Sequence, residues 1–146
     1  MARSPSSFVL VALAGGVLIG VAFAYVAALR PYPSPLDISK LHLWMVFAYF
    51  VLAAPIQEEL IFRGLLQTVI ARSVPSPATG WIIHLHVVFI ALLFGAIHLD
   101  SGIVVATSAV VLGLVAGELR RMSGSLIPAM LFHALLNAAS ALWPAG

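Results

Sequence analysis

Three short motifs place ionisable side chains inside otherwise apolar stretches. They are Glu58-Glu59-Leu60-Ile61-Phe62-Arg63, Phe94-Gly95-Ala96-Ile97-His98 and His133-Ala134-Leu135-Leu136-Asn137. Charges in such stretches are costly, and where they occur they face a protein interior or a wet cavity and do a job there. Glu59 and Arg63 are four residues apart, share a helix face and can form an ion pair. Glu58 points to an adjacent face, about 100° round the helix, and is left free to act as a general base. His133 and Asn137 share a face of a second segment, and His98 comes from a third. If these faces converge, Glu58 can take a proton from a water molecule. A histidine can hold that water or protonate a leaving amine, and Asn137 can orient His133 or stabilise an oxyanion. That set suits water attack on an amide. Singly, the Glu59–Arg63 pair reads as structural and a lone histidine as a packing residue. Together, Glu58, Glu59, Arg63, His98, His133 and Asn137 read as candidate catalytic residues.

The positioning elements follow from composition. The chain has 146 residues, 62% of them hydrophobic and only 8% charged, with mean hydropathy +1.12. Soluble domains carry about 25% charged residues, so an integral membrane protein of one domain, 1–146, is expected. The net charge of +2 and the scattered basic residues exclude a nucleic-acid partner, and the absence of cysteine excludes thiolate chemistry.

A membrane-crossing helix needs about 20 mostly apolar residues. Residues 8–29 meet this, and the run is too long for the core of a signal peptide. Further segments are expected at about 41–72, 81–98, 103–119 and 125–143. Proline-rich loops are expected at 30–40 and 73–80, and turns at Leu99–Gly102 and Arg120–Gly124. The second segment is too long for one straight span, and Pro55 inside it predicts a break or kink. Gly113 and Gly117 form a small-xxx-small pair suited to close helix contact. Trp44, Trp81 and Trp143 fit an aromatic belt, with His42, His84 and His86 read as interfacial. The expectation is an all-α polytopic bundle of about five membrane helices with a catalytic core at about 41–143. Arg3, Arg72, Arg120 and Arg121 against Arg30 and Lys40 favour a cytoplasmic N-terminus and an external C-terminus. That topology puts His98 near the outer end of its segment and Glu58 well down the second, so the two meet only if the second segment tilts, bends or begins outside the membrane.

The three motifs, in this order, resemble those of the CAAX-protease and bacteriocin-processing (CPBP, or Abi) intramembrane proteases: Glu-Glu-x-x-x-Arg, Phe-x-x-x-His and His-x-x-x-Asn. The resemblance covers roughly residues 50–140. It implies a multi-pass membrane endopeptidase in which Glu58 activates water, with Glu59 and Arg63 in support and His98, His133 and Asn137 as site residues. It also implies a glutamic-type reaction with no cofactor preferred. There is no His-Glu-x-x-His motif, although Glu58, His98 and His133 could supply a three-ligand zinc site. The implied partners are the lipid bilayer and a membrane-associated protein or peptide, either prenylated and CAAX-like or carrying a C-terminal sorting signal. The implied location is a bacterial or archaeal cell membrane. A proton-linked transporter and a non-catalytic immunity or scaffold protein of the same fold are the alternatives.

Overall fold

The computed structural model describes residues 5–29, 42–73 and 84–142. The loops expected at 30–40 and within 74–80, and the residues Arg3, Arg30, Lys40, Trp81 and Trp143, lie outside them. Every described element is helical: α1 (Pro5–Leu29), α2 (Leu43–Ser73), α3 (Leu85–Ala96), α4 (Ile103–Ser123) and α5 (Ile127–Leu142). A single 3₁₀ turn, Leu99–Ser101, joins α3 to α4. Gly102 (φ 97°) and Gly124 (φ 69°) supply the positive φ angles that start and end α4, a backbone region open to glycine without Cβ strain.

Close contacts set the direction of each helix. Gly16 of α1 meets Phe132, and Gly20 meets Leu136 and Ala139, so α1 and α5 run parallel. Along the α3–α4 pair, Val87 faces Gly117, Ala91 faces Gly113 and Gly95 faces Val110, so these two run antiparallel. Residues 50 and 59 of α2 meet 137 and 133 of α5, which is again antiparallel. The ends of α2 and α4 and the start of α3 therefore gather at one end of the bundle. The core is built from Phe62, Ile90, Phe94, Leu112, Leu119, Phe132 and Leu136, with small residues Ala109, Ala116 and Ala129 between them. Val9, Leu13 and Ile19 of α1 pack against it. Two helices, α2 and α4, are long and apolar enough to cross a membrane. Along α2, Trp44, Phe47, Leu60, Leu65 and Val69 are exposed. So long an apolar face is suited to lipid rather than water.

The chain does not leave helical geometry at Pro55. On either side of the short α-helical stretch Ala54–Glu59, at Phe47–Ala53 and Leu60–Leu66, α2 widens into π-helical turns, in which hydrogen bonds run from residue i+5 to residue i. The Ala54 N–H reaches back to the Tyr49 carbonyl. A proline has no N–H and its ring crowds the carbonyl four residues earlier, and a wider turn accommodates both defects without ending the helix.

Gly113 and Gly117 let α4 approach its neighbours closely. A Cβ at Gly113 would stand 2.8 Å from both Cα and Cβ of Ala91 and 3.4 Å from an Arg63 nitrogen. At Gly117 it would stand 2.6 Å from a Val87 methyl. Gly113→Val is expected to cost about 1–3 kcal/mol by overpacking, read as a lowered thermal midpoint. Gly15→Ala, where a Cβ has open space inside a helix, should not lower the midpoint and should raise it slightly.

Candidate active site

Glu59 and Arg63 point inward from the middle of α2 and are both fully buried. Arg63 Nη1 lies 3.1 Å from Glu59 Oε1, a charge contact that lacks hydrogen-bond alignment. The guanidinium also sits 4.6 Å from the Phe94 ring centre and 5.9 Å from that of Phe62, within cation–π range. One turn further along the same stripe, buried Gln67 donates from Nε2 to the Gly117 carbonyl at 3.0 Å.

His133 of α5 lies between the two carboxylates. Its Nδ1 is 2.9 Å from Glu59 Oε1, and its Nε2 is 3.7 Å from Glu58 Oε2. An ionised carboxylate only accepts hydrogen bonds, so Glu59 selects the tautomer with the proton on Nδ1. The neutral ring then presents a lone pair on Nε2, on the side of Glu58. Glu58 is the half-buried member, its side chain 29% exposed. At 3.7 Å its oxygen and Nε2 are too far apart for a direct hydrogen bond, but a single water molecule about 2.8 Å from each can bridge them.

His98 follows α3, and its Nδ1 hydrogen-bonds to the Phe94 carbonyl at 2.8 Å. The Phe94 ring connects the two histidines, with ring centres 4.7 Å from His98 and 6.0 Å from His133. It also packs edge-on against Phe62. His98 thus comes level with the middle of α2. The mismatch of depth expected from the sequence does not arise, because α3 is short and the N-terminal half of α2 runs on past it along α5. His98 approaches Glu58 and His133 through Phe94, and no direct hydrogen bond joins it to either among the described residues. Nor do any three His, Cys, Asp or Glu side chains among them form a group able to hold a metal ion.

Asn137 lies elsewhere than its spacing from His133 suggests. Its Nδ2 donates to the Phe50 carbonyl at 2.8 Å, across 87 residues of chain. In the π register just before Pro55, the donor for the Phe50 carbonyl would be the N–H of residue 55, and proline has none. The α-type donor, the Ala54 N–H, is already spent on Tyr49. Asn137 therefore satisfies the carbonyl that Pro55 orphans and ties α5 to α2 two turns from Glu58. Asn137→Ala should cost about 1 kcal/mol, the usual net contribution of a hydrogen bond, here between half-buried groups. In a Pro55→Ala background, where an N–H is restored, the loss should be much smaller. Thermal midpoints of the four proteins in that double-mutant cycle measure the coupling.

Two contributors carry weak sequence signals. Gln67 continues the spacing of Glu59 and Arg63 by one more turn, so the polar stripe was readable. Phe94 belongs to the Phe-x-x-x-His motif, but nothing in the spacing says that its ring touches both histidines and the arginine.

A carboxylate–histidine–carboxylate array, with Glu59 and His133 buried and Glu58 half-exposed, thus stands inside an all-helical apolar bundle. The chain matches the type II CAAX prenyl endopeptidase Rce1-like family over residues 40–139 and belongs to that family. Its members are integral membrane proteases that act on membrane-associated prenylated proteins. The match spans α2 to α5 and contains all six candidate residues, while α1 precedes it. No curated protein and no solved structure matches the chain.

Proposed function

We propose that this chain is a multi-pass intramembrane endopeptidase in which Glu58 activates the attacking water. Its substrate is a membrane-tethered protein, prenylated and CAAX-like or carrying a C-terminal sorting signal. The observation that carries the reading is His133, fixed by Glu59 through Nδ1 and facing Glu58 across 3.7 Å through Nε2. Water held between Glu58 and Nε2 loses a proton to the Glu58 carboxylate as its oxygen bonds to the scissile carbonyl carbon. The C–N bond then breaks, and the proton passes from Glu58 to the departing amine. His98, with Nδ1 engaged by the Phe94 carbonyl, has Nε2 left to serve the developing oxyanion. Asn137 acts one step back, by holding α2 in register. In this reading the five helices alternate in direction within the bilayer, α2 and α4 spanning it, with the N-terminus in the cytoplasm. Arg72, Arg120 and Arg121 then share the cytoplasmic end, in keeping with the positive-inside rule.

The test is purified protein in proteoliposomes with a farnesylated CAAX peptide, the released C-terminal fragment being followed by mass spectrometry. Cleavage by wild type and none by His133→Ala is the expected result. Equal fragment release by the two proteins would overturn the proposal.

A further inference from the structure

At the end of the bundle where α2 and α4 finish and α3 begins lies a cavity of about 260 Å³. Its walls include Arg63, Arg72, Arg120, Arg121, His86 and Gln67. This is most of the chain's cationic charge, since Lys and Arg together number 7. Arg63 is fully buried and Arg120 half-buried, while Arg72 and Arg121 are exposed at the rim; guanidinium groups gathered this closely repel one another unless anions lie between them. Two of the four have a carboxylate. Arg63 has Glu59 at 3.1 Å, and Arg121 Nε donates to Glu118 Oε2 at 2.6 Å. Glu118 is shared, since its other oxygen accepts the His84 backbone N–H at 3.1 Å and lies 3.7 Å from His84 Nδ1. Arg72 and Arg120 have no carboxylate partner among the described residues, and Arg120 Nε is buried without a hydrogen bond. The charge at this cavity is therefore under-compensated, and buried donors remain open.

We propose that this cavity is a binding site for a phosphate group, supplied by the headgroup of an anionic phospholipid in the cytoplasmic leaflet. A phosphodiester matches the fork geometry of arginine. Basic pockets between membrane helices on the cytoplasmic side are suited to such headgroups. The exposed Leu65 and Val69 on the same stretch of α2 offer apolar surface for the acyl chains. The proposal depends on the membrane placement of α2 and α4 and is independent of peptidase activity, because its readout is binding.

The experiment is native mass spectrometry of the full chain in a neutral detergent, titrated with phosphatidylglycerol, phosphatidylcholine or inorganic phosphate. Phosphatidylglycerol should bind at least tenfold more tightly than phosphatidylcholine. Arg72→Gln and Arg120→Gln should each weaken it by about five-fold, the loss expected for one surface cation. Inorganic phosphate that displaces phosphatidylglycerol at millimolar concentration would keep the phosphate chemistry and assign the site to the free ion. Equal binding of the two lipids to wild type, or wild-type phosphatidylglycerol binding by the Arg72→Gln/Arg120→Gln double variant, would overturn the proposal. Should that double variant fail to fold, Ala71→Glu replaces it. This exposed lining position would put a carboxylate into the cavity while keeping every arginine, and wild-type lipid binding there would be equally fatal.

Discussion

Glu58→Gln should lower the rate of CAAX-peptide cleavage by about 10²–10⁴-fold, the usual contribution of a positioned general base, while the thermal midpoint stays close to that of wild type. The two halves of this expectation have separate causes. Glutamine keeps the shape of the side chain but cannot accept a proton from water. The site tolerates the swap because Glu58 is the partly exposed carboxylate, with no aligned hydrogen bond to lose. Glu58→Asp retains the charge but withdraws it by one methylene from His133 Nε2, lengthening a separation that is already 3.7 Å, and its activity should fall as well. Wild-type turnover by Glu58→Gln in proteoliposomes would remove Glu58 as the base.

The second large effect is on folding. Arg63→Met should destabilise the bundle by about 3–5 kcal/mol, the range for removing one partner of a buried pair. Glu59 would be left fully buried without its counter-charge, and Arg63 also packs on the Phe94 ring. The double variant Glu59→Gln/Arg63→Met should recover most of this loss. Neither charge then remains to be solvated, and the amide oxygen introduced at position 59 can still accept from His133 Nδ1. Its cleavage should stay far below wild type, since an amide can turn its NH2 as well as its oxygen toward His133 and no longer enforces one tautomer. Denaturation and peptide cleavage measured on wild type, the two single variants and the double variant separate the two roles. Additive stability losses would show that the 3.1 Å contact does not couple the residues.

Much of this arrangement was legible in residue spacing. The Glu59–Arg63 and His133–Asn137 intervals reported shared helix faces, and the apolar runs reported the helices. What spacing could not report was anything set by a distant partner. Pro55 signals a missing N–H, but whether the helix breaks depends on what else satisfies the stranded carbonyl. Here the answer is a π turn together with Asn137, contributed from α5. The same event redirects Asn137 away from His133, so its face was readable while its bond was not. Helical phase likewise placed His98 on a segment but could not show that the Phe94 ring stands between it and His133. Arg72, Arg120 and Arg121 were readable as topology signals. Their gathering around one cavity with Arg63 depends on α2 and α4 ending at the same level, which no local pattern encodes.

The Glu59–His133 contact bridges 74 positions of chain, and this has a consequence for biogenesis. At about 5–20 residues per second of translation, α2 leaves the ribosome roughly 4–15 s before its histidine partner is made. Throughout that interval Glu58, Glu59 and Arg63 sit on a helix that has no α5 to shield them, and each charge opposes partitioning into lipid. On the five-span reading, the nascent α2 must therefore be retained at the insertion machinery or its aqueous vestibule until α5 arrives. Chains truncated before residue 127 would keep these three charges without the α5 partner and should insert less efficiently than the full chain.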